Sequence, residues 1–205
     1  MVPITVESEE SETFSWETAR RAPARGLRGL ASEYTGYAER SAVPARRRQL
    51  PGTRAVLIVP FGPELEVAPR AGAEFRSYPG GFVAGLHDSF ALTRWEGESA
   101  GLQVDLTPLA ARMVFGLPMS EIAGRVVALD EALGRAGAEF AHAVAEAATW
   151  EQRFEVVDAF LVARLAAAPL PARGVVWAWD RLSASGGLVP VGGIARALGW
   201  TPRRL

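Results

Sequence analysis

The chain has no cysteine. That excludes disulfides, thiolate metal sites and cysteine nucleophiles, and it fits a reducing cytoplasm. Lysine is missing too, so all 22 basic residues are arginine; with plentiful Ala, Gly and Pro this reads as the coding bias of a GC-rich genome. Histidine occurs only as His87 and His142. The usual zinc or iron site wants two or three imidazoles, so neither a catalytic metal nor another cofactor is expected. No apolar run approaches the roughly 20 residues that span a bilayer. Residues 1–16 are acidic and polar, the opposite of a signal peptide, so the expected location is the cytoplasm, with no membrane partner. Enzyme motifs are also scarce: there is no Gly-x-Ser-x-Gly elbow, no Gly-x-x-x-x-Gly-Lys loop and no Gly-x-Gly-x-x-Gly. The run His87-Asp88-Ser89 has triad residue types, but sequence neighbours cannot adopt triad geometry and a polar turn is the simpler reading. The expectation is that the chain is not an enzyme.

What is present is a globular composition. Hydrophobic residues at 49% and charged residues at 22% rule out a disordered or fibrous chain. A net charge of −1 gives no global field for nucleic acid, so any such contact must be local. Residues 1–17 carry Glu7, Glu9, Glu10, Glu12 and Glu17 with no basic residue and read as a loose tail.

From 29 to 106 the texture is that of strands, with Gly and Pro punctuating β-branched and aromatic residues. Residues 55–61 form a continuous apolar run, 64–67 its expected hairpin partner, and 82–86, 90–95 and 102–106 further strands. In the last, Leu102, Val104 and Leu106 alternate with Gln103 and Asp105, so one face is buried and one wet. At Thr107-Pro108 a cap followed by Pro at the first helical position starts a helical region. Helices are expected over 109–115 and 120–127, around Phe140 and Val144, and after a capping box of Thr149 and Gln152. In that last helix Phe154, Val157, Leu161 and Leu165 form one apolar stripe, bound for the core or a dimer interface. Pro169-Leu170-Pro171 then marks a linker.

Beyond the linker, 175–182 reads as a helix with Val175, Trp179 and Leu182 on one side, ended by Gly186-Gly187. Trp177 and Trp179 read as packing residues. Ile194 and Leu198 are one turn apart, Ala195 permits close helix crossing, and Gly199 suits a left-handed turn. Thr201 can cap a second helix and Pro202 suits its first position, which puts Arg203 and Arg204 in its opening turn. In a helix-turn-helix those first residues reach the major groove. The candidate DNA-contacting residues are therefore Arg196, Thr201, Arg203 and Arg204.

The pattern Ile194-Ala195-x-x-Leu198-Gly199-Trp200-Thr201-x-Arg203-x-Leu205 resembles the first helix-turn-helix of AraC-type transcription regulators, where Leu-Ala-x-x-x-Gly-x-Ser-x-x-x-Leu is usual. Upstream, the stretches 34–40, 82–88, 106–111 and 115–118 resemble the N-terminal regions of one actinobacterial branch of that family. The resemblance implies an α+β protein: a cupin-like, barrel-like sensor, a helical bundle, and a DNA-binding domain that stops inside its first helix-turn-helix. It implies operator DNA, a small-molecule effector and a second copy of the chain as partners. The expected organisation is an acidic tail and lead-in over 1–28, a sensor over 29–106, a helical dimerisation region over 107–168, a linker over 169–174 and the start of the DNA-binding domain over 175–205. Within the sensor, Tyr34, Tyr37, His87, Arg94, Trp95 and Gln103 are candidate ligand contacts, with aromatic walls and hydrogen-bonding tips; each is also compatible with core packing or ordinary surface. Arg46-Arg47-Arg48 reads as a solvated connector. A cupin-like metal or small-molecule enzyme and a plain protein-interaction module remain the alternatives.

Overall fold

A computed structural model describes residues 2–62 and 65–201. The chain divides into two compact units, Met1–Ala168 and Pro169–Leu205. The first is α+β. Its strands are β1 Ile4–Glu10, β2 Phe14–Arg21, β3 Tyr34–Gln49, β4 Ala55–Pro60, β5 Glu66–Ala68, β6 Arg76–Ser77, β7 Phe82–Ala84, β8 Ala91–Leu106 and β9 Val126–Ala128. Among the described residues they form one antiparallel sheet in the order β1-β2-β3-β8-β4-β7-β9, with β5 on β8 and β6 on β5.

Several expectations change here. The acidic N-terminal residues are not a loose tail. They form β1 and β2: Glu7, Glu9 and Glu10 of β1 are exposed, Glu17 of β2 accepts from the Trp150 Nε1–H at 2.7 Å, and Ala19 and Arg21 on that same side of β2 are buried. The strands expected over 90–95 and 102–106 are parts of one long strand, β8, which begins at Ala91 and passes through Gly97 at φ 72°. The connector expected at Arg46–Arg48 is the end of β3. The return strand near residue 66 pairs with β8 and β6, not with β4. The helix expected over 120–127 stops at Ile122: Gly124 takes φ 67°, and the β-branched pair Val126-Val127 joins β7 as a strand.

The strands β3 and β8 form a long ribbon with a break. Ser41 faces Gly97 and Ala45 faces Trp95, so Ala42, Val43 and Pro44 oppose Glu96 alone. Pro44 has no N–H to donate, and extra residues on one strand bend the pair. That bend lets the two halves of the ribbon contribute to the same cavity.

The helices of this unit are α1 Pro108–Phe115, α2 Met119–Ile122, α3 Leu129–Leu133, α4 Arg135–Glu146 and α5 Trp150–Ala167. Thr107 caps α1 by accepting from the Ala110 N–H, and Gly116 ends it at φ 70°. Thr149 and Gln152 form the capping box of α5. Phe154, Val157 and Leu161 of α5 are buried with Leu57, Val59, Leu102 and Val104 of the sheet in one core. The regions expected as separate sensor and helical bundle thus share a core, because one apolar sheet face needs a cover. Gly36 lies under the Trp150 ring, where a side chain would collide.

The second unit holds α6 Arg173–Ala184 and α7 Val191–Ala197. Ala178, Ile194 and Ala195 are its buried apolar residues among those described, and the Trp200 ring covers Gly174. Gly186, Gly187 and Gly199 have positive φ. No helix among the described residues is long and apolar enough to cross a membrane.

Candidate functional site

The sheet face opposite the helices encloses a cavity of about 540 Å³. The period-two alternation of strands decides what faces it. On β3, Thr35, Tyr37 and Glu39 line the cavity, while Tyr34 and Gly36 meet α5. On β4, Val56 and Ile58 line it, and Leu57 and Val59 enter the core. Gln103 and Asp105 of β8 face in, against Leu102 and Val104 on the core side. From beyond the bend, Arg47, Thr93 and Trp95 complete one end.

Two polar clusters result. At the first, Arg47 donates to Glu39 at 2.6 Å and its guanidinium stands 4.7 Å from the Trp95 ring centroid. Tyr37 is packed across Gly101 beside this pair. Burial, reinforced by the Glu39 charge, holds the Tyr37 phenol well above its usual range, so it stays a neutral donor. At the second, Gln103 donates to both Asp105 carboxylate oxygens at 3.1 and 3.2 Å. Burial pushes the Asp105 carboxyl up, opposed by Gln103, Arg54 and Ser32. His87 donates from Nδ1 to the Gly85 carbonyl at 2.8 Å, and its Nε2 makes no hydrogen bond in the structure.

Four buried polar atoms of cavity-lining residues have no hydrogen-bond partner in the structure: Tyr37 Oη, Trp95 Nε1, His87 Nε2 and Arg54 Nη1. Buried polar groups are nearly always paired, and an unpaired one costs about 1–3 kcal/mol. All four belong to residues that line the same cavity.

The candidate contacts read from sequence separate accordingly. Tyr37, His87, Trp95 and Gln103 share the cavity wall. Tyr34 does not: strand alternation turns it to the helix side, where its hydroxyl donates to Asp158 at 2.8 Å and its ring lies 6.0 Å from that of Phe154. Arg94 does not either. It is paired outside with Glu66 at 2.6 and 2.9 Å and lies over Phe75. Sequence reading missed Arg47, Glu39, Arg54 and Asp105. A polar inward face hides the alternation signal that marks a strand, and only an amphipathic count over 34–39 would have exposed Glu39.

Of the candidate DNA-contacting residues, Arg196 and Thr201 are exposed, and the Arg196 side chain donates to the Gly192 carbonyl of its own helix. Arg203 and Arg204 lie outside the described residues. No group of three or more His, Cys, Asp or Glu among the described residues is arranged to hold a metal.

No protein-family model and no curated protein matches the chain. Among solved structures it is similar to the AraC-like transcriptional activator CuxR, at 13% identity and a TM-score of 0.36, over 100% of this chain and 73% of that one. It is similar to a predicted oxalate decarboxylase from Thermotoga maritima at 10% identity and a TM-score of 0.36, over 52% of this chain and 98% of that one. A third is the oxalate decarboxylase of Lactobacillus farciminis, at 11% identity and a TM-score of 0.32, over 60% of this chain and 44% of that one. The expectation that the chain is not an enzyme is corrected by this finding. One of these three structures is an oxalate decarboxylase and another a predicted one.

Proposed function

We propose that this chain is the sensing and dimerisation part of an AraC-type transcription regulator working in the cytoplasm. A small molecule occupies the cavity of the sheet and the C-terminal unit contacts operator DNA. The observation that carries the reading is the set of four unpaired polar atoms on the cavity wall. The resemblance of residues 194–205 to a helix-turn-helix supports the DNA role, as does the left-handed Gly199 between α7 and Thr201. Two half-sites need two copies of the protein, and the helical region 107–168 is the proposed dimer surface.

The test is a selection of genomic DNA fragments by the protein, followed by gel shifts with and without a cavity ligand. Arg203→Ala and Arg204→Ala are expected to weaken a selected fragment by about 1–3 kcal/mol for each residue that reads a base. Enrichment of no fragment, or binding that ignores both substitutions and the ligand, rejects the assignment.

A second reading, a small-molecule enzyme, is favoured by His87. Its Nδ1 is fixed on a backbone carbonyl and its Nε2 is free, the arrangement of a general base. Conversion of a bound ligand that stops in His87→Gln would replace the first reading.

A further inference from the structure

The cavity's unpaired atoms specify a ligand, and this inference rests on the reading that a small molecule fills the cavity. Trp95 Nε1 and Arg54 Nη1 can only donate, and the neutral Tyr37 hydroxyl has its proton free. Three of the four unpaired atoms therefore call for acceptors on the ligand. The two clusters are not equivalent. Arg47 is neutralised by Glu39 at the Tyr37 end, so that end suits a neutral oxygen and disfavours a second anion. At the other end Arg54 forms no ion pair with any described carboxylate. Asp105 accepts from Gln103 instead, and its burial works against a full charge there. A partly buried guanidinium with a free N–H calls for a carboxylate.

Between the clusters the wall is apolar, built from Val56, Ile58 and Phe82. Tyr37 pairs with Gly101, and Asp105 is four residues further along β8, which at roughly 3.3 Å per residue separates the ends by about 13 Å. We infer that the cavity binds an elongated organic acid, with its single carboxylate on Arg54, its hydrocarbon body on Val56 and Ile58, and a neutral carbonyl, ether or hydroxyl oxygen between Tyr37 and Trp95.

Three probes of similar length separate the parts: monomethyl suberate, which has both ends; dimethyl suberate, which lacks the carboxylate; and octanoate, which lacks the far oxygen. Calorimetric titration of the full chain is expected to rank monomethyl suberate first. The diester should be weaker by roughly 10- to 100-fold, the range of a lost charged hydrogen bond, and octanoate by about tenfold. Arg54→Gln should erase the preference for acid over diester, and Tyr37→Phe the preference for the half-ester over octanoate. The wild-type ranking stands as a test even if a variant fails to fold. A diester that binds as well as the half-ester overturns the carboxylate assignment; if Ile58→Trp, which fills the cavity, abolishes that binding, the cavity reading survives. Binding that persists in Ile58→Trp, or no binding of any probe, overturns both.

Discussion

The Tyr37 ring crosses β8 directly over Gly101, its hydroxyl occupying the space where any Cβ at residue 101 would stand. The phenol can therefore be buried in the wall of the cavity without a cavity-side neighbour opposite it. Gly101→Ala is expected to push Tyr37 out of this position and to destabilise the chain by about 1–3 kcal/mol, the cost of overpacking. Urea unfolding measures the loss, and Tyr37→Phe/Gly101→Ala should lose less than the sum of the single changes.

Asp158 of α5 is the anchor of the helix on the sheet. It forms a tight ion pair with Arg21, which is only 6% exposed, and accepts from the Ala24 N–H and the Tyr34 hydroxyl. Asp158→Ala leaves a buried guanidinium without a counter-charge and is expected to cost about 3–5 kcal/mol. Adding Arg21→Met should recover part of that loss. If the single change leaves the melting curve where it was, the pair does not hold α5.

Leu161 lies in the same core as Leu102 and Phe154. Of the two places open to the apolar stripe of α5, the core of the single chain takes Phe154, Val157 and Leu161. Leu161→Ala is expected to cost about 2–5 kcal/mol through the cavity it leaves, and Leu161→Asp to abolish cooperative melting. A Leu161→Asp protein that melts normally and merely changes its sedimentation would put this residue at a subunit interface.

Asp105 gives the pH dependence. Its carboxyl is raised by burial in the folded chain, so the folded state holds the proton more tightly than the unfolded state. Stability from this group is full below the ordinary carboxylate pKa and declines as pH climbs through the window between that value and the raised one. Asp105→Asn is expected to melt higher than the wild type at neutral pH, with the gap closing toward the acid end of that window. A gap that widens on acidification contradicts the assignment.

What the sequence determined by itself was local. The Thr149 and Gln152 capping box, the Thr107-Pro108 helix start and the Gly116 stop depend on residues within one or two turns of each other. They were legible because their hydrogen bonds close within the segment. The helical stripe of Phe154, Val157 and Leu161 was legible for the same reason. The β-rich texture of 29–106 was legible as composition, but β1, β2 and most of β3 were not. β1 is exposed along most of its length, the cavity-facing sides of β2 and β3 carry Thr18, Arg20, Thr35 and Glu39, and a polar lining erases the apolar alternation that betrays a strand. Only the tertiary structure decided which face of β3 looks at the cavity. A shift of one residue exchanges the helix-facing side of β3 for the cavity-facing side, and the register with β8 is set by pairings that run from Gln49↔Ala91 to Thr35↔Gln103, far apart in the chain. The joining of Arg47 and Glu39 across the bend follows from those long-range pairings, which no local pattern encodes.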